Sequence, residues 1–117
     1  AIPTLFNDLN SRGMLKKTLV VLTGEFGRTP KINKDGGRDH WSRCFTVAMG
    51  GGGVQGGRVV GKSDKWTMDP DENPYGPEDL CATVYHLLGI DPQGEMHKPD
   101  GRPIMLTNNG GGIKELL

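Results

Sequence analysis

Nineteen of the 117 residues are glycine, and against them Val, Ile, Leu and Phe together number 26, about 22% of the chain. Glycine brings no side chain to a core and loses more backbone freedom on folding than any other residue. An aliphatic content much below this level leaves a chain disordered. A thin core and long loops are therefore expected. The length fits one domain. Fourteen basic and fourteen acidic residues give no net charge, which excludes the one-signed field of a general nucleic-acid or anionic-membrane binder. No apolar run approaches the ~20 residues of a membrane span. Cys44 and Cys81 read as two small buried residues rather than a disulfide. No C-x-x-C or C-x-x-H spacing offers a structural zinc site.

Ile2, Leu5, Phe6 and Leu9 recur at helical spacing, so residues 2–12 predict an amphipathic helix, with Pro3 in its first turn and Gly13 after its end. Thr18-Leu19-Val20-Val21-Leu22-Thr23 reads as a strand covered on both faces. Helix, turn and buried strand make half of a βαβ unit, whose first strand these residues do not contain. Residues 24–42 read as a long loop, and long loops in compact domains are often functional. Residues 44–49 read as a second buried strand, followed by a glycine turn and a short edge strand at 58–61. Residues 62–76 read as polar loop. Pro77-Glu78-Asp79 opens a second helix with the stripe Leu80, Val84, Leu87 and Leu88, closed by Gly89. The remainder reads as irregular, with a short strand at Ile104-Met105-Leu106. Together these elements predict an α/β architecture: a small, mostly parallel sheet flanked by helices, with a short hairpin and long loops.

Gly51-Gly52-Gly53-Val54-Gln55-Gly56 matches the dinucleotide pattern G-x-G-x-x-G. That site needs a helix to begin within the motif and face the pyrophosphate. Here Arg58-Val59-Val60-Gly61 follows, so the motif reads as a glycine turn. Glu25 is more informative. It sits just past the end of the predicted strand, between Gly24 and Gly27, where parallel sheets bind ligands. A carboxylate there can ligate a divalent metal. Arg28, Lys31 and Arg38 can pair with an anionic substrate. The same residues can equally be a charged loop making surface ion pairs. His40 lies between Asp39, which can orient it, and Trp41, which can shield it, but no H-x-x-x-H pair is present, and a lone loop histidine reads by default as unspecialised. His86 falls on the Asp79–Thr83 side of its helix, away from the leucines, and reads as solvated.

Thr18–Pro30, Gly37-Arg38-Asp39-His40-Trp41, the glycine turn and Pro77–Asp91, in this order and spacing, resemble the C-terminal part of the DUF1501 proteins. These are sulfatase-like proteins of the alkaline phosphatase superfamily, found in planctomycetes and related marine bacteria. The resemblance implies a partial alkaline-phosphatase-like fold, the chain being a C-terminal portion of a larger domain. It also implies a metal-dependent hydrolase of phosphate or sulfate esters when complete. Glu25 matches the strand-end metal ligand and His40 the later histidine, with zinc, manganese or calcium as the metal. Arg28, Arg38 and Lys31 would hold the anionic ester. Phe26 stands where the superfamily has a second ligand. Ser11, Ser42 and Ser63 lack a strand-to-helix elbow, so the chain alone is expected to be inactive. The alternative is a remnant acting as a binding or interaction module. An exported or periplasmic bacterial location is implied, and self-association through an exposed sheet edge is expected.

Overall fold

The computed structural model describes all residues from 1 to 117. The chain divides into two compact units, one comprising 1–20, 50–58 and 75–117, the other 21–49 and 59–74. No helix is long and apolar enough to cross a membrane.

In the first unit, helix α1 (Ile2–Ser11) forms where the apolar spacing predicts it, with Pro3 in its first turn. It buries no residue. A 3-10 turn follows at Leu15–Lys17, and Gly52 N donates to Leu15 O at 2.9 Å. Gly51 has φ +72°, and the place a Cβ would take is filled by the carbonyls of Leu15 and Thr18. Only glycine reconciles that left-handed backbone with so close an approach.

Helix α2 (Pro77–Leu87) starts at Pro77, with Glu78 and Asp79 in its first turn. Asp79 accepts the Gly76 N–H at 3.0 Å. The leucine stripe is only half-buried at Leu80, Val84 and Leu87, and Leu88 is 60% exposed, whereas Ala82 and Thr83 are 1% and 0% exposed. What covers them is the C-terminal segment. Thr83 Oγ1 donates to Asp79 O at 2.7 Å and accepts from Ile113 N at 2.8 Å. The second Asp79 oxygen accepts from Gly111 N at 2.8 Å. Buried Thr107 donates to Pro92 O at 2.8 Å, and Gln93 Nε2 donates to Gly110 O at 2.9 Å. Gly110 lies directly on the Glu78 carbonyl and the Asp79 amide. No buried side-chain nitrogen or oxygen lacks a partner. The interior is thus mainly hydroxyl, carboxylate and peptide, an arrangement that holds only when every hidden polar group is bonded. Beyond it, β7 (Glu95–His97) and β8 (Pro103–Met105) form an antiparallel hairpin.

The second unit carries hairpins where loops were expected. β2 (Gly27–Arg28) pairs antiparallel with β3 (His40–Trp41), and β5 (Lys62–Ser63) with β6 (Pro70–Glu72). Trp41 Nε1 donates to Met68 O at 2.7 Å, and Arg43 pairs with Asp69 at 2.6 Å, tying the two hairpins together. β1 (Val20–Leu22) is bonded to β4 (Ala48–Gly50).

This corrects the expected architecture. No parallel sheet flanked by helices forms, and the fold is not alkaline-phosphatase-like α/β. The strands are two or three residues long and lie in four separate two-stranded pairs. Of the run at 18–23 only Val20–Leu22 is strand, and Val21 is 37% exposed. So few aliphatics cannot cover both faces of a parallel sheet, and Gly24 and Gly50 end the runs at 18–23 and 44–49. No strand forms at 58–61, where Val59 is 97% exposed. Both cysteines are free thiols, and Cys81 is exposed rather than buried.

Candidate functional site

Segment 24–42, expected to be irregular, is built around Asn33. Its Oδ1 accepts from Asp35 N at 3.0 Å and Gly37 N at 2.9 Å, and its backbone N donates to Gly37 O at 2.8 Å. Its Nδ2 donates to Asp39 Oδ1 at 2.9 Å. An asparagine side chain that copies a backbone turn in this way closes a hairpin without a long strand. Thr29 fastens the next rung: its N donates to Asp39 O at 3.0 Å and its Oγ1 accepts from Asp39 N at 3.0 Å.

The register places Arg28 opposite His40 and Gly27 opposite Trp41. Directly paired residues share a face, so Arg28 and His40 stand together, and alternation adds Phe26 to them. The rings of Phe26 and His40 stack with centroids 3.8 Å apart and planes inclined by 20°. The Arg28 guanidinium lies over the Phe26 ring at 5.4 Å, a cation–π distance. Trp41 is on the opposite face, so it does not shield the imidazole, which is exposed. Asp39 does not orient His40 either, because its carboxylate is held by Asn33.

Arg38 Nη1 donates to the carbonyls of Thr29 and Pro30 at 3.0 and 3.1 Å. This fixes one edge of the guanidinium, and Nε and Nη2 make no hydrogen bond within the unit. Arg28 Nη1 reaches the Arg38 carbonyl at 3.4 Å. The ion pairs of this unit are Arg43–Asp69 and Lys62–Glu72; no carboxylate of the unit pairs with Arg28, Lys31 or Arg38. Lys31 is exposed in the turn. Such a face can offer a forked donor to an anion, with an attraction that salt screens because the groups are exposed.

Glu25 is exposed at the bend between β1 and β2 and makes no hydrogen bond or ion pair in its unit. The structure thus gathers Phe26, Arg28, Arg38 and His40, and leaves Glu25 without a partner. The residues that organise the face and that motif reading missed are Phe26, Thr29 and Asn33. The run Asn33-Lys34-Asp35-Gly36-Gly37 carries the turn signal that could have revealed them. No group of three or more His, Cys, Asp or Glu side chains converges anywhere in the chain. Structural zinc takes four ligands and catalytic zinc three protein ligands. Glu25 and His40 offer two, so the donors of this chain do not by themselves fit a resident metal.

No curated protein and no solved structure matches the chain. A family model described as a protein of unknown function, DUF1501, matches residues 1–117, and the chain therefore belongs to the DUF1501 family.

Proposed function

We propose that the β2–β3 hairpin is an anion-recognition element, holding the phosphate or sulfate group of an ester for a sulfatase-like protein. The observation that carries this reading is the set Arg28, Lys31 and Arg38, free of carboxylate partners in its unit, with Arg38 pinned by two carbonyls. A guanidinium fixed before the ligand arrives loses less rotamer freedom on binding it. Ester hydrolysis would need a nucleophile and metal donors that these residues do not group together, so the part assigned to this chain is binding.

Titration with inorganic phosphate or sulfate, followed by amide chemical shifts, tests the reading. Saturable shifts across residues 27–41 are expected, weakened by added salt. The double variant Arg28→Gln/Arg38→Gln should lose them while keeping the hairpin's nuclear Overhauser contacts. Absence of saturable shifts in the unaltered protein would sink the reading.

A further inference from the structure

We infer that the free edge of β7 is a self-association surface, on which a second copy of this chain adds antiparallel to make a four-stranded sheet about a two-fold axis at Met96. The inference stands apart from the anion-binding reading and uses none of its residues.

The hydrogen-bond phase of the β7–β8 ladder decides which groups are available. The register pairs Glu95 with Met105, Met96 with Ile104 and His97 with Pro103. Leu106 N donates to Gly94 O at 3.1 Å, and Lys98 N donates to Arg102 O at 2.9 Å. In an antiparallel pair the bonded positions alternate. The Gly94 carbonyl and the peptide groups of Met96 and Lys98 therefore turn toward β8, and Glu95 and His97 turn theirs outward. No third strand accepts them, since β7 and β8 form a two-stranded sheet, and all three β7 residues are exposed. The outer edge of β8 is different. Pro103 sits at an outward position and has no N–H to give, which is how proteins blunt an edge. The hairpin thus has one defended edge and one open edge.

The open edge is self-complementary. When Met96 faces Met96 of the second copy, Glu95 faces the partner's His97, and His97 faces the partner's Glu95. Those two are hydrogen-bonded positions, so each exchanges two N–H···O bonds, and all four outward groups of each strand are satisfied. Their side chains pair as carboxylate with imidazole N–H, a favourable cross-strand combination. On the other face Met96, 61% exposed, already lies beside Ile104, 43% exposed. Pairing extends these into one apolar stripe of Ile104 and Met96 from both copies. Any other register breaks something: a one-residue slip moves Met96 opposite Glu95 or His97 and sets outward peptide groups against inward ones, and a parallel arrangement cannot be made two-fold symmetric with Glu95 against His97. An isologous contact of this kind closes at two copies.

A contact of three residues per strand is weak, so it is read by sedimentation velocity over a wide concentration range extending to the solubility limit. A monomer–dimer equilibrium is expected. Met96→Lys should remove it. Glu95→Lys and His97→Glu should each raise the dissociation constant about tenfold by placing like or unmatched groups opposite each other. The double variant Glu95→Lys/His97→Glu restores opposite charges and should recover the dimer, a result that a merely unfolded hairpin cannot give. In the dimer the amides of Glu95 and His97 should gain protection from hydrogen exchange. A chain that stays monomeric throughout, a dimer indifferent to Met96→Lys, or a double variant no tighter than its parents would each overturn the assignment.

Discussion

Helix α2 with its C-terminal covering segment and the β2–β3 hairpin solve the same shortage of aliphatic residues in opposite ways. Around α2 the chain hides Ala82, Thr83, Thr107, Gly110 and Gly112, and every hidden polar side-chain atom is bonded. In the other unit no residue is buried, and shape comes from turn chemistry at Asn33, Thr29 and Arg38. The contrast shows where ligand chemistry can reside. Thr83 and Asp79 are committed to partners inside the fold, whereas Arg28 and Arg38 are held by backbone and ring contacts that leave their guanidinium groups exposed.

The sharpest way to break this contrast is Gly110→Ala. Its methyl would occupy the Glu78 carbonyl and the Asp79 amide, neither of which can move without unwinding the start of α2. A loss of about 3 kcal/mol in denaturant unfolding is expected. Thr83→Val comes next. It keeps the volume but leaves the Ile113 N–H without its acceptor, for a loss of about 2 kcal/mol. Asn33→Ala should act on the hairpin alone. Removing its amide frees Asp35 N, Gly37 N and Asp39. Amides 29–39 should exchange faster, with an opening free energy lower by about 1 kcal/mol and the α2 amides unchanged. Equal loss of protection in α2 would show that the two regions are not independently built.

The smallest effect is at Tyr75, whose hydroxyl donates to Glu115 Oε2 at 2.7 Å. That bond is the main reason the Glu115 carboxyl lies below its ordinary range and the Tyr75 phenol above its own. A lowered carboxyl contributes stability above its ordinary value and loses it as the pH falls through the lowered one. The raised phenol contributes below its ordinary value and loses that contribution as the pH rises through the raised one. Tyr75→Phe should therefore be slightly less stable than the parent at neutral pH, by a margin that narrows in acid as Glu115 takes up a proton and in alkali as Tyr75 loses one. A constant offset at all pH values would rule out the linkage.

Both helices were legible in the sequence because their signals are local: the apolar spacing of 2–9, Pro77 at a first turn, Gly89 beyond an end. The family resemblance rested on whole strings, Thr18–Pro30 and Gly37–Trp41, and the family model agrees with its DUF1501 part alone. The sheet was misread because a run such as Thr18–Thr23 carries the composition of a buried strand whether or not anything covers it, and Val21 stays 37% exposed. The polar interior escaped notice for the converse reason. Thr83 and Thr107 look like surface residues until distant partners, Ile113 and Pro92, supply their hydrogen bonds. At the candidate site the cations were visible, but the stack of Phe26 on His40 depends on a register that Asn33 sets from the far end of the hairpin.

The hydroxyl-and-peptide interior beneath α2 also has a calorimetric meaning. Exposing apolar surface raises the heat capacity on unfolding, and exposing polar surface lowers it. A chain that conceals threonines, glycines and amides has little of the first and much of the second. Its free energy of unfolding should consequently vary gently with temperature. Cooling should then weaken this fold less than one held together by aliphatic side chains.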